Sequence, residues 1–155
     1  MPEIPHVTTE PDMTIKNNNP LEIRKFSNPD MEGVLHLWKE CGLLFPGNDP
    51  VKDIELKVSF QPDLFLVGEA EGRIAATLMA GYDGHRGWLN YLGVLPEYRK
   101  AGYASRMVLH ATALLKELGC PKVNLQVRNS NLGVIEFYKK IGFYEHEVSS
   151  MQMKL

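Results

Sequence analysis

The chain has 155 residues, enough for one domain, and its 17 basic against 19 acidic residues give a formal net charge of −2, without the basic surplus of a general nucleic-acid binder. No apolar run approaches the ~18 to 20 residues of a membrane span, and residues 1–20 lack the apolar core of a signal peptide. Cys41 and Cys120 stand far apart with no CxxC pair, and no two of His6, His36, His85, His110 and His146 fall at i,i+4 spacing, so a disulfide framework or metal site is not expected and a reducing, cytoplasmic setting fits best.

Residues 1–20 carry Pro2, Pro5, Pro11, Pro20 and the run Asn17-Asn18-Asn19, with no periodicity. They read as a flexible N-terminal arm, leaving residues 21–155 as the folded domain. Leu21 to Phe26 alternates as a half-buried strand. Asn28-Pro29-Asp30 opens a helix in which Met31, Val34, Leu35, Trp38 and Cys41 share a face, with Gly42 as its stop. Asp53 to Phe60 reads as a second helix. Leu64–Ala70, Arg73–Ala80 and Trp88–Val94 read as three strands of an antiparallel meander, joined by the Glu71-Gly72 turn and the Tyr82–Gly87 turn.

Gly102 to Leu118 carries the strongest helical stripe, through Met107, Val108, Ala111, Leu114, Leu115 and Leu118, and Gly119 ends it. Lys122–Val127 alternates as a strand, and Asn131–Ile141 is helical with Gly142 after it. Phe143 to Leu155 reads as one or two short strands. The order β-α-α-β-β-β-α-β-α-β(β) suits a mixed sheet in an α/β or α+β domain better than a doubly wound one.

Two segments carry chemistry. Val94-Leu95-Pro96-Glu97-Tyr98-Arg99-Lys100-Ala101-Gly102-Tyr103-Ala104 joins a strand to the strongest helix. Free N–H groups at such a junction, with the helix dipole, favour a phosphate. The spacing is neither GxxxxGK[ST] nor GxGxxG in an N-terminal βαβ unit, which excludes a P-loop and a dinucleotide fold. In the second segment, Asn131 is a plausible helix cap, and Tyr138 lies seven residues on, about two turns along nearly the same face.

Arg99-x-x-Gly102-x-Ala104 after Leu92-Gly93-Val94-x-Pro96, followed by Asn131…Tyr138-x-x-x-Gly142-Phe143, resembles the paired motifs of the GNAT N-acetyltransferases. Tyr82–Gly87 and Asn48-Asp49-Pro50 look, within that superfamily, like the bacterial YpeA-like enzymes. The resemblance runs from about residue 21 to the C-terminus. It implies a GNAT fold of the α/β (α+β) class: a mixed, mostly antiparallel sheet of six to seven strands flanked by about four helices.

The resemblance also implies an activity, acetyl transfer from acetyl-CoA to a primary amine of a small molecule or protein, with no metal. Acetyl-CoA would lie where the fourth and fifth strands part. Leu92, Gly93 and Val94 would pair with its pantetheine arm through backbone bonds, and Gly93 would mark the bulge that splays the strands. Arg99, Lys100, Ala101, Gly102, Tyr103 and Ala104 would cradle the pyrophosphate, Asn131 would bond the cofactor arm, and Tyr138 would be the general acid at the leaving thiolate. Gln126 stands where the ribosomal-protein alanine acetyltransferases hold a glutamate, and an amide is no base at neutral pH. Asp83, His85, Tyr91 and Glu69 are then the candidate bases by type. An acyl-CoA-binding sensor or interaction module on the same fold is the alternative. The assembly expected from the resemblance is a monomer or homodimer. The acceptor is not legible.

Overall fold

The computed structural model describes residues 20–155; apart from Pro20, the predicted arm lies outside the described residues. Its elements run β1 (Glu22–Lys25), α1 (Met31–Glu40), α2 (Pro50–Phe60), β2 (Phe65–Ala70), β3 (Arg73–Tyr82), β4 (Gly87–Val94), α3 (Tyr103–Glu117), β5 (Val123–Leu125) and α4 (Leu132–Lys140). The strands form one sheet in the order β1-β2-β3-β4-β5, antiparallel except for the parallel β4–β5 pair.

The predicted meander is present as β2, β3 and β4. Glu71 and Gly72 both take positive φ, 52° and 71°, in the tight turn between β2 and β3, the conformation a two-residue hairpin requires. The second helix starts earlier than the apolar pattern indicated. Pro50 occupies its first turn, and the Asp49 side chain caps it by accepting from the Lys52 amide at 3.2 Å.

Five strands are present among the described residues, not six or seven. Phe143–Leu155 forms none. The alternating tail has no ladder to join, and Tyr144, Val148, Met151, Met153 and Leu155 all stay exposed, so neither backbone pairing nor burial holds it extended. The strand expected over Lys122–Val127 shrinks to Val123–Leu125 because β4 supports it only from Gly87↔Val123 to Leu89↔Leu125.

Helices cover both faces of the sheet. Thr77 and Gly93 are cross-strand neighbours on β3 and β4; Thr77 meets Trp38 of α1, and Gly93 faces Leu37. Gly81, four residues beyond Thr77 and so on the same face, looks onto Lys57 and Gln61 at the end of α2. Gly87 faces the other way, onto Leu115 of α3. β2 and β3, covered on both sides, bury Phe65, Leu66, Val67, Ala75, Ala76 and Leu78, and Trp38, Ile54 and Met107 close the core above and below. At the start of the domain Leu21 is buried and its carbonyl accepts from Arg106 Nη2 at 2.8 Å, whereas Pro20 is exposed.

Candidate active site

The site begins where β4 and β5 separate. Beyond Leu89↔Leu125 the ladder stops, although β4 continues to Val94. On its other side β4 stays paired, with Gly93 opposite Thr77 and Val94 opposite Ala76. The stretch Leu92–Val94 therefore presents an edge to the gap, and an extended ligand could add to it as a strand does.

The bulge in β4 lies at Tyr91, not at Gly93. Between Thr77↔Gly93 and Met79↔Asn90, β4 spends one residue more than β3, and Tyr91 takes φ 55°. A non-glycine residue there costs on the order of 1–3 kcal/mol and persists only where its surroundings over-determine it. They do so here. The Tyr91 ring stacks on Trp38, centroids 3.8 Å apart. Its carbonyl accepts from Thr77 Oγ1 at 2.9 Å, and that hydroxyl accepts from Trp38 Nε1 at 3.1 Å. Its own hydroxyl donates to Asp53 Oδ2 at 2.7 Å. Regular alternation would put Tyr91 on the α3 face with Gly87 and Leu89; the bulge turns it onto α1 and α2. Asn90 is exposed.

Gly93 is small for another reason. A Cβ there would stand 2.9 Å from Leu37 Cδ2 and 3.0 Å from Leu43 Cδ1. The glycine lets α1 and its following loop press onto β4 just beside the open edge.

β4 leads through the turn Pro96–Tyr98 into the start of α3. Lys100 and Gly102 take positive φ, 64° and 78°. Gly102 is the N-cap, has no side chain to cap with, and the first turn of α3 holds no acidic residue. The first amide to reach back into the helix is that of Arg106, bonded to the Gly102 carbonyl at 3.1 Å, so the first-turn amides of Ala104 and Ser105 have no intrahelical acceptor. A Cβ on Gly102 would meet nothing within 4 Å, so the space over the loop is open. The amides and the dipole converge on that space, and Lys100 lies in the same turn. The residues present thus fit a pyrophosphate.

Two of the predicted cradle side chains are committed elsewhere. Arg99 Nε donates to the Val94 carbonyl at 3.0 Å, and its Nη2 approaches Cys41 Sγ at 3.7 Å. Its guanidinium thereby closes off the last carbonyl of β4. Tyr103 is buried, with its ring 6.2 Å from that of Tyr98. Asn131 caps α4, its Oδ1 accepting from the Val134 amide at 3.4 Å, which leaves the Nδ2 donors for other use.

Tyr138 is buried to 7% exposure between Phe137 and Phe143, ring centroids 5.0 and 5.3 Å away. Burial pushes its phenol up to about 12, and its hydroxyl has no hydrogen-bond partner among the described residues.

The four candidate bases separate cleanly. Glu69 lies on β2, bound to Arg24 at 3.1 Å and distant in the sheet order from the β4–β5 gap. Asp83 accepts from the His85 and Arg86 amides, both at 2.7 Å, in an exposed turn, and those bonds hold its pKa below the usual carboxylate value. His85 is exposed in that turn. Tyr91 stands beside the open edge, but burial first and then the Asp53 carboxylate raise its phenol well above the ordinary range, the wrong direction for a base. Gln126 is exposed beyond β5, and its Nε2 bonds Ser150 Oγ.

Sequence reasoning missed the partnership of Trp38, Thr77 and Asp53 with Tyr91. Trp38 read as one apolar residue on a helical face. A lone threonine within an apolar strand was the available signal, because a buried hydroxyl needs a partner. Among the described residues, no group of three or more His, Cys, Asp or Glu side chains could hold a metal, and no helix is long and apolar enough to cross a membrane.

Residues 31–143 match the Acetyltransferase (GNAT) family. An acetyltransferase of Sodalis glossinidius (strain morsitans) is 48% identical over 123 residues, covering 79% of this chain and 87% of the relative. One from Yersinia pestis (strain Pestoides F) is 44% identical over 135 residues, 87% of this chain and 96% of its own. Among solved structures, the PaiA N-acetyltransferase from Thermoplasma acidophilum in complex with coenzyme A superposes with a TM-score of 0.72 at 21% identity, covering 84% of this chain and 93% of that one. The aminoglycoside N-acetyltransferase AAC(6')-Iy in complex with CoA gives 0.71 at 20%, over 90% and 98%. At those identities the superpositions speak for the fold. The splayed β4–β5 pair, the uncapped α3 start and the match over residues 31–143 make this chain a member of the GNAT acetyltransferase family, an N-acetyltransferase that uses acetyl-CoA.

Proposed function

We propose that residues 21–155 are a catalytic domain of the YpeA-like kind that acetylates a primary amine of a small molecule or protein. The observation that carries this is the continuity of one ligand-sized path. The free edge of β4 at Leu92–Val94 runs directly into the uncapped, positive-φ turn before α3. In this reading Leu92, Gly93 and Val94 bond the pantetheine arm through their backbone. Lys100, Ala101, Gly102, Tyr103 and Ala104 offer backbone amides to the pyrophosphate. Arg99 holds the end of β4 and adds charge beside it. Asn131 bonds the arm through Nδ2.

The amine nitrogen attacks the thioester carbon, the C–S bond breaks, the nitrogen loses a proton and coenzyme A leaves as its thiol. Tyr138 stands as the donor to the leaving sulfur. Its phenol at about 12 is a weaker acid than an alkyl thiol near ~8.5. Full proton transfer is therefore uphill by about 5 kcal/mol, and the group serves by hydrogen-bonding the thiolate while solvent supplies the proton. With Asp83 and Glu69 committed elsewhere, no single carboxylate acts as base, and the ammonium proton leaves through water. The two free thiols, Cys41 and Cys120, suit a reducing, cytoplasmic setting.

The test is calorimetric titration with acetyl-CoA, followed by thiol release with a panel of amines. Binding with release supports the reading. Binding without release across the panel favours the sensor alternative, and no binding overturns both.

A further inference from the structure

On the face of the sheet covered by α1 and α2, one carboxylate has no cation to answer it. Asp53 lies in the first turn of α2, half-buried. Its Oδ2 accepts from the Tyr91 hydroxyl at 2.7 Å, and it forms no ion pair among the described residues, whose acidic partners in such pairs are Asp30, Glu69, Asp63, Glu97, Glu136 and Glu145. Lys57, one helical turn on and in place for an i,i+4 pair, turns instead to Gln61 Oε1 at 3.4 Å. The nearby acids differ. Asp49 is exposed and spent on capping α2, and Glu55 is exposed.

The position of Asp53 is fixed with unusual care. Tyr91 reaches it because of the β4 bulge, and the bulge is pinned by the Trp38 stack and the Thr77 hydroxyl. The same residue whose backbone precedes the open edge at Leu92 therefore carries, on its hydroxyl, a carboxylate on the face away from α3. A half-buried carboxylate with one neutral donor is under-compensated. An ammonium supplies both the missing charge and the missing donors.

Resting on the acetyl-transfer reading above, we propose that Asp53, aimed by Tyr91, is the acceptor-recognition group and selects cationic primary amines. Asp53 touches the substrate. Tyr91 is its positioning residue, acting through Asp53 and through the bulge. The ammonium docks on the Asp53 oxygen left free, one tyrosine side chain away from the edge where the thioester is presented. A second nitrogen of the same acceptor reaches the edge and gives its proton to water before its N–C bond forms and the C–S bond breaks.

The experiment compares wild type, Asp53→Asn, Asp53→Glu and Tyr91→Phe with three amines. Putrescine and spermidine are cationic at neutral pH; aniline is not. Thiol release gives KM and kcat for each amine, and calorimetry gives Kd for acetyl-CoA. Asp53→Asn should raise KM for spermidine about tenfold or more while leaving aniline kcat/KM and the acetyl-CoA Kd within about twofold. Asp53→Glu should recover part of the loss, and Tyr91→Phe should fall between wild type and Asp53→Asn. An unchanged spermidine KM in Asp53→Asn overturns the inference, as does an equal loss with aniline. Wild-type protein that acetylates aniline but neither polyamine overturns the inference alone. Wild-type protein that binds no acetyl-CoA overturns the proposed function itself.

Discussion

The Trp38 indole and the Tyr91 phenol lie face to face, with 3.8 Å between centroids and 9° between planes. Trp38 is fully buried in α1, and Tyr91 sits at φ 55° in the bulge of β4. The stack ties the helix layer to the one irregular point of the strand, immediately before the edge at Leu92–Val94. Two hydrogen bonds through Thr77 link the same two residues a second time. The edge that would receive the pantetheine arm is thus held from behind.

Thr77→Val tests that second link. Thr77 is fully buried and serves at once as acceptor for Trp38 Nε1 and donor to the Tyr91 carbonyl. Valine matches its shape and satisfies neither. Each orphaned buried group costs about 1–3 kcal/mol, so urea denaturation should show a loss of about 2–6 kcal/mol. Thr77→Ser keeps the hydroxyl and loses a methyl, for about 1 kcal/mol. The two variants should differ further in KM for acetyl-CoA, which rises with valine as the bulge relaxes and stays near wild type with serine.

Much of this arrangement could be read in advance, and the unread part has a common cause. The α3 stripe, the Glu71-Gly72 hairpin, the caps at Asn131 and Gly142 and the Arg99-x-x-Gly102-x-Ala104 turn are local patterns, set by residues within a few positions of each other. Tyr91 with Asp53 is a contact across 38 residues, and Trp38 with Thr77 one across 39; no periodicity encodes them. Gly93 invited a bulge because glycine permits one. The bulge went to Tyr91, where a stack and two hydrogen bonds outweigh the cost of positive φ, while Gly93 answers to the crowding of Leu37 and Leu43. The tail alternates as a strand would, yet a strand is a property of a pair, and Phe143–Leu155 has no partner strand among the described residues.

Gly93→Ala and Gly102→Ala should fail for different reasons. At Gly93 the new methyl meets Leu37 Cδ2 at 2.9 Å and Leu43 Cδ1 at 3.0 Å, and Leu37 is fully buried. Overpacking of that kind costs about 1–3 kcal/mol and pushes on β4. At Gly102 nothing is crowded, but φ is 78°, and a Cβ there costs about 1–2 kcal/mol. Thermal melts should show both losses. Acetyl-CoA titration should show weaker binding in each, and only Gly102→Ala should weaken the binding of a pyrophosphate fragment such as ADP.

Lys57 makes stability depend on pH in a definite direction. Burial lowers its pKa from 10.5 to about 8, so the fold disfavours its charged form. The unfolded chain binds the proton more tightly, and stability rises between about pH 8 and pH 10 as that advantage is removed. The group stays partly solvated, which reduces the full effect to about 1–2 kcal/mol. Lys57→Met should therefore be more stable than wild type at pH 7. The difference should shrink as pH rises to 10, followed by urea midpoints across that range. A constant difference at all pH values would assign the effect to packing alone.

Tyr138→Phe separates chemistry from packing at the other end of the site. Phenylalanine preserves the edge contacts with Phe137 and Phe143, and at pH 7 the phenol is neutral in both the folded and the unfolded chain, so stability should change by less than about 1 kcal/mol. Above the unfolded pKa near ~10 the two proteins diverge. The wild-type phenol, held up to about 12 by burial, ionises first in the unfolded state, and stability is lost from about pH 10 to pH 12, by about 2–3 kcal/mol. The variant lacks that loss. In turnover the order reverses: kcat should fall about 10- to 100-fold at pH 7, with the acetyl-CoA Kd within about twofold, because in the proposed role the hydroxyl acts on a charge that exists only once the C–S bond breaks. As a hydrogen-bond donor with a pKa near 12, Tyr138 adds no alkaline limb to the kcat profile below pH 10. A wild-type limb in that range that vanishes in Tyr138→Phe would make the phenol a true proton donor with a working pKa lowered by the bound substrate.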